Sequence, residues 1–155
     1  MPAPEVFYTV TGERLNEQFR TVEALDSKTA TIFSFASAVL PVYGGLLAFS
    51  GRGLSALSWA FLIAGVVAYA VLLGVSYKAY QVGEWSVRPN VQDLRDNSTQ
   101  YDEAPMKWWV AEERTRSVTE NEGKLATKAH FVTASIVLLP VEAILLTLAA
   151  VSNLI

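Results

Sequence analysis

Residues 130–153 read HFVTASIVLLPVEAILLTLAAVSN, and the only formally charged side chain in that stretch is Glu142. It exceeds the roughly 20 apolar residues a helix needs to cross a bilayer core. A transmembrane helix is therefore the expectation, and the rest of the chain is read around it. No charge falls between Lys28 and Arg52 or between Arg52 and Lys78. Two further spans follow, over 29–51 (TATIFSFASAVLPVYGGLLAFSG) and 54–77.

Composition agrees with three spans in 155 residues: 52% of side chains are hydrophobic, 17% are charged, and mean hydropathy is +0.30. Such a chain is not a conventional soluble enzyme. A formal net charge of −3 and a pI near 5.2 argue against a nucleic-acid partner, which calls for a basic face. The absence of cysteine excludes disulfides, thiolate metal sites and thiol nucleophiles. The 29–51 span lies too deep, behind an acidic leader, for a cleaved signal peptide.

The first two spans are separated by Ser50, Gly51, Arg52 and Gly53, which predicts a tight antiparallel hairpin. Basic residues set the orientation. Arg14, Arg20 and Lys28 precede the first span, and Lys78, Arg88, Arg95, Lys107, Arg114, Arg116, Lys124 and Lys128 lie between the second and third. Only Arg52 falls on the other side. The N-terminus and the 78–104 connection are expected in the cytoplasm, and the hairpin turn and C-terminus outside, in a multi-pass protein of the inner (cell) membrane.

Residues 12–28 set Leu15, Phe19, Val22 and Leu25 at helical spacing among charged side chains. This is an amphipathic helix leading into the membrane, expected to pack on the protein's own bundle rather than lie on anionic lipid. The stretch Trp85–Asn90 reads as a break because Pro89 disfavours helix at Arg88, and 91–103 is polar and turn-rich. Helix resumes near Pro105. From there Trp108, Ala111, Thr115, Val118, Glu122, Leu125, Ala129, Val132, Ile136 and Leu139 form a heptad-like seam into the third span, predicting one helix over 105–153 despite Gly123. The fold class is all-α, integral to the membrane.

Helices in lipid associate through small residues. Ala56, Ala60, Ala64 and Ala68 recur every fourth position of the second span, an interface that faces either the same chain or a neighbour. Ser34, Ala38, Gly44, Gly45 and Ala48 offer the same surface in the first span, where Pro41 introduces a kink. The run Ala36–Val42 (ASAVLPV) resembles Ala134–Val141 (ASIVLLPV), which sets Pro140 at a depth similar to that of Pro41.

Glu142 carries the functional question. An ionised carboxylate at mid-membrane costs about 2.5–3.5 kcal/mol on the insertion scale, so it must be neutral, paired or wet. It either belongs to an ion or proton path lined by symmetry copies, or bonds a neighbouring helix, for instance through Tyr43. Tyr43 lies two residues past Pro41 as Glu142 lies two past Pro140. His130 reads as an interfacial residue, and Tyr77, Tyr80, Trp85, Trp108 and Trp109 as an aromatic belt. The acidic group Asp93, Asp96, Asp102 and Glu103 misses the calcium-loop pattern and reads as solvated surface. No cofactor or metal motif is present in the sequence.

The opening of the first span, Leu25-Asp26-Ser27-Lys28-Thr29-Ala30, together with Trp85–Pro89 and Asn121–Lys128 (NEGKLATK), resembles prokaryotic Pycsar-type transmembrane effectors and the related SMODS- and SLOG-associating transmembrane effectors. The likeness spans about residues 14–150, with Asp26, Lys28, Asn121 and Lys128 at its motif positions. It implies an oligomeric effector in antiphage defence that disrupts the inner membrane when triggered by a nucleotide signal or a cytoplasmic partner protein. The chain departs from that pattern in lacking a recognisable nucleotide-sensing domain. The expected function is thus a homo-oligomeric membrane pore or membrane-perturbing effector, non-enzymatic, with the lipid bilayer as its first partner. The alternative is a structural or accessory subunit of a larger membrane complex.

Overall fold

The computed structural model describes residues 3–49 and 53–153, without the side chains of Ala48 and Phe49. Ser50, Gly51 and Arg52 of the expected hairpin turn lie outside the described residues, as does the C-terminal Ile155. The described elements are all helical: α1 (Pro4–Phe49), α2 (Ala56–Gln81), α3 (Val91–Ser98) and α4 (Glu103–Ser152). Helices α1, α2 and α4 are each long and apolar enough to cross a membrane.

Helix α1 begins eight residues before the expected amphipathic segment and passes residue 28 without a break. Pro41 and Pro140 lie inside α1 and α4, with helix continuing on both sides. The stretch 91–98, expected as turn-rich chain, is a helix. Its N-cap Asn90 accepts a hydrogen bond from the Asp93 N–H at 2.8 Å, and Asp93 adds an acid to the first turn. Polarity had masked this helix because it buries no residue of its own.

The chain divides into two compact units, 1–24 with 82–127 and 25–81 with 128–155. In the first unit, α1 and α4 pair along their lengths. Phe7 meets Trp108 with ring centroids 4.9 Å apart, Gln18 Nε2 donates to the Val118 carbonyl at 3.0 Å, and Leu15, Val22, Val110 and Ala111 are buried. The expected packing of the amphipathic helix on the protein itself is realised here.

In the second unit, parts of α1 and α4 run parallel to each other and antiparallel to α2, as the pairs Asp26–Lys128, Tyr43–Thr147, Ser76–Ser135 and Ser58–Ser152 require. Each helix contributes a heptad seam: Thr29 and Ala36 on α1; Ser58, Gly65, Leu72 and Ala79 on α2; Lys128, Ser135, Glu142 and Ala149 on α4. This is the seven-residue repeat of left-handed helix packing. Among the described residues of this unit, seven buried polar side chains stand against eight buried apolar ones, while Phe35, Val42, Leu57, Ile63, Val137 and Ile144 are more than half exposed. That distribution inverts a water-soluble bundle and suits an apolar solvent.

The seam of α4 corrects the sequence expectation. Of the expected seam, Ala111 and Val132 do face inward, with Val118, Leu125 and Leu139 half-buried. The second inward row, however, is Asn121, Lys128, Ser135 and Glu142, not Glu122, Ala129 and Ile136; Glu122 and Ile136 are exposed. Apolar periodicity points the wrong way, as it does wherever the surroundings of a helix are apolar: there an outward isoleucine carries no penalty, whereas polar groups gain only by turning inward.

Candidate functional site

Within the second unit, α4 presents Lys128, Ser135 and Glu142 every second turn on its buried face. Lys128 is 2% exposed, and its Nζ lies 2.6 Å from Asp26 Oδ1 on α1. The contact is an ion pair in distance but falls outside hydrogen-bond geometry. Asp26 keeps a partly exposed flank, so one end of the pair stays hydrated. Two of the motif positions thus meet, while Lys28, a third, is exposed.

One heptad further along, the Ser135 hydroxyl pairs with Ser76 of α2 at 3.2 Å, both buried. The next heptad is Glu142, fully buried, with neither carboxylate oxygen bonded. Tyr43, the expected partner, instead bonds the Thr147 hydroxyl at 2.8 Å, a turn beyond. Ser37 pairs with Tyr69 at 3.3 Å, and the register between Gly65–Leu146 and Ser76–Ser135 sets Tyr69 opposite Glu142. At the far end Ser55, Ser58 and Ser152 form a hydroxyl cluster, with 2.8 Å between the first two and 2.9 Å between the last two. Because Glu142 points into its own three-helix bundle, any path it serves runs inside the chain and not along a ring of copies.

The small-residue surfaces are placed differently. Ala56 and Ala60 are exposed and Ala64 and Ala68 half-buried, while the inward face of α2 is the seam through Gly65. A Cβ on Gly65 would fall 2.6 Å from Leu146 Cδ2, so the absence of a side chain there lets α2 and α4 meet. Gly44 is exposed and Gly45 half-buried, both with open space at the Cβ position. These outward small residues remain free for a neighbour.

In the first unit the polar face of α4 holds a strap, residues 82–90, by its backbone. Asn121, fully buried, accepts from the Ser86 N–H at 2.8 Å and donates to the Ser86 carbonyl at 2.9 Å. Ser117 accepts from the Arg88 N–H at 2.9 Å, Lys124 donates to the Glu84 carbonyl, and Arg88 pairs with Glu120 at 3.3 Å. Residues 84, 86 and 88 alternate toward α4 as an extended chain must. Arg114 lies over the Tyr8 ring at 4.3 Å and donates to the Tyr8 carbonyl, and its guanidinium passes close over Gly12, where a Cβ would fall 2.9 Å from Nη1. Lys107 sits between Glu5 at 2.5 Å and Glu103 at 2.7 Å. Hydrogen bonding to those carboxylates holds its ammonium above the ordinary lysine range, and Lys107 in turn holds the Glu103 carboxyl below its own.

The sequence isolates Glu142 but not the groups beside it, Ser135, Ser76, Tyr69 and Ser37; Thr147 lies on the exposed side of α4. The signal was present as the seven-residue spacing Asn121, Lys128, Ser135, Glu142. His130 is exposed, as are Tyr77 and Tyr80, and Asp93, Asp96, Asp102 and Glu103 lie on the surface. Among the described residues no group of acids and histidine is arranged to hold a metal ion. Compared with protein-family models, curated proteins and solved structures, the chain shows no significant match to any of them.

Proposed function

We propose that this chain is a homo-oligomeric membrane protein that makes its bilayer permeable, with the inward row Lys128, Ser135 and Glu142 as the permeation element. One observation carries the proposal: Glu142 is fully buried at the middle of the apolar stretch 130–153 of α4 and neither of its oxygens is bonded. A carboxyl kept only as helix glue would bond a neighbour, since an unmet polar group in an apolar setting costs on the order of 1–3 kcal/mol. Its nearest expected partner is committed to Thr147. Outward Ala56, Ala60 and Gly44 supply close-packing surfaces between copies. The bias of basic residues places the first unit in the cytoplasm, where a partner protein or nucleotide signal would act on it, in keeping with the effector likeness and a role in antiphage defence.

A second function, subunit of a larger membrane complex, draws on the cross-helix hydroxyl pairs Ser76–Ser135 and Tyr43–Thr147, which are ordinary helix glue. Reconstitution separates the two. Purified protein in liposomes should raise ion permeability, Glu142→Gln should change it while cross-linked oligomers persist, and Glu142→Leu should abolish it. A parent protein that inserts, stays monomeric and passes nothing overturns the permeation proposal in favour of the subunit.

A further inference from the structure

We infer that the species carried along the second unit is the proton. This rests on the permeation proposal and names its substrate. Polar groups occur at five levels along the unit: Asp26 with Lys128, Ser76 with Ser135, Glu142 beside the Ser37–Tyr69 pair, Tyr43 with Thr147 at the exposed edge of the bundle, and the Ser55, Ser58 and Ser152 cluster. Each level holds hydroxyls or titratable groups that can give or take a proton, and in each hydroxyl pair either oxygen can be the donor. Along α4 the steps from 128 to 135, 142, 147 and 152 are about 7–11 Å at 1.5 Å per residue. Steps of that length exceed a direct hydrogen bond, so transfer between levels calls for transient water.

The same levels are interleaved with Ala36, Leu72 and Leu146, all fully buried, and with Val132 at 2% exposure. Gly65 against Leu146 has no space for even one methyl group. A hydrated sodium or potassium ion would have to part all three helices, whereas a proton needs only hydroxyl rotation and transient water. Glu142 is the group that can store it, because it is the acid inside the span and neither of its oxygens is committed to a neighbouring side chain. The titratable groups packed about the row are Asp26 and Tyr43 on α1, Tyr69 on α2 and Lys128 on α4. In each passage a proton adds to the Glu142 carboxylate from one side and leaves to the other, so the side chain returns to its starting form and no co-reactant is consumed.

The test uses full-length protein in liposomes holding a pH-sensitive dye, driven by a potassium gradient with valinomycin, beside matched sodium, potassium and chloride flux assays. The expected result is proton flux at least tenfold above sodium flux, lost tenfold or more in Glu142→Gln and retained in part by Glu142→Asp. An independent readout is the infrared carboxyl band assigned by difference against Glu142→Gln, which should shift on transfer to D2O within the time of the flux. Sodium or potassium moving as fast as protons overturns the proton inference and leaves permeation standing. Proton flux unchanged in Glu142→Gln also overturns it. Inserted protein that passes no ion at all sinks both.

Discussion

Asn121 and Glu142 lie three heptads apart on the same row of α4 and are equally buried, yet Asn121 bonds both backbone groups of Ser86 and Glu142 bonds nothing. In the first unit a non-helical strap brings bare backbone donors and acceptors to α4. In the second, all three partners are helices whose interior N–H groups are already used; hydroxyls can still donate to helix carbonyls, as Ser135 and Thr147 do, but a carboxylate can be answered only by a side chain. Buried polar residues in the first unit are therefore structural by default, and one left over in the second requires another account.

The largest effect expected from this contrast is at the Asp26–Lys128 pair. Asp26→Leu leaves a lysine at 2% exposure without a counter-charge and should cost about 3 kcal/mol in detergent unfolding. Lys128→Met leaves the partly exposed Asp26, which water can reach, and should cost less. The double variant should recover most of the loss, and a double that is worse than either single would break the assignment.

Asn121→Ala comes next, at about 2 kcal/mol for two lost bonds and a half-buried Ser86 left unmet. Its signature is faster hydrogen exchange at the Ser86 and Arg88 amides with the second unit unchanged. Protection unaltered at both amides would show that the strap is held by something else.

Glycine to alanine should change sign between the units. Gly65→Ala forces a methyl against fully buried Leu146 and should destabilise by about 1–3 kcal/mol. Gly123→Ala meets open space on an exposed helix face and should stabilise by about 0.5–1 kcal/mol. Thermal denaturation of the two variants side by side settles the sign.

The smallest effect is electrostatic. Because Glu103 is held below its ordinary value of 4.5, its contribution is present above that pH and is lost as pH falls through the lowered value. Lys107, held above 10.5, contributes fully below that pH and loses its share only as pH rises through the raised value. Between those limits Lys107→Gln should show a pH-independent and salt-sensitive loss. A loss that grows between pH 6 and 9 would implicate a different group.

What the sequence by itself determined was the number of membrane-length helices, the break before Asn90, the continuity of α4 into the last span and the singularity of Glu142. These follow from local quantities: run length, charge spacing and the backbone restriction at Arg88-Pro89. What only the tertiary structure decided was facing. Leu125, Val132 and Leu139 were placed on the inward side by periodicity, but the row beside them was drawn through Ile136 when Ser135 and Glu142 occupy it. Asp26 and Lys128 stood out one by one, and their pairing across 102 positions needed the parallel register of α1 and α4. The α3 helix is hidden because nothing apolar marks it, and Tyr43, one candidate partner for Glu142 by sequence, is given Thr147 by the fold. In water, apolar side chains announce the inside. In lipid both solvent and core accept them, so inward facing is settled by which polar groups find one another, a long-range matter that no window of sequence contains.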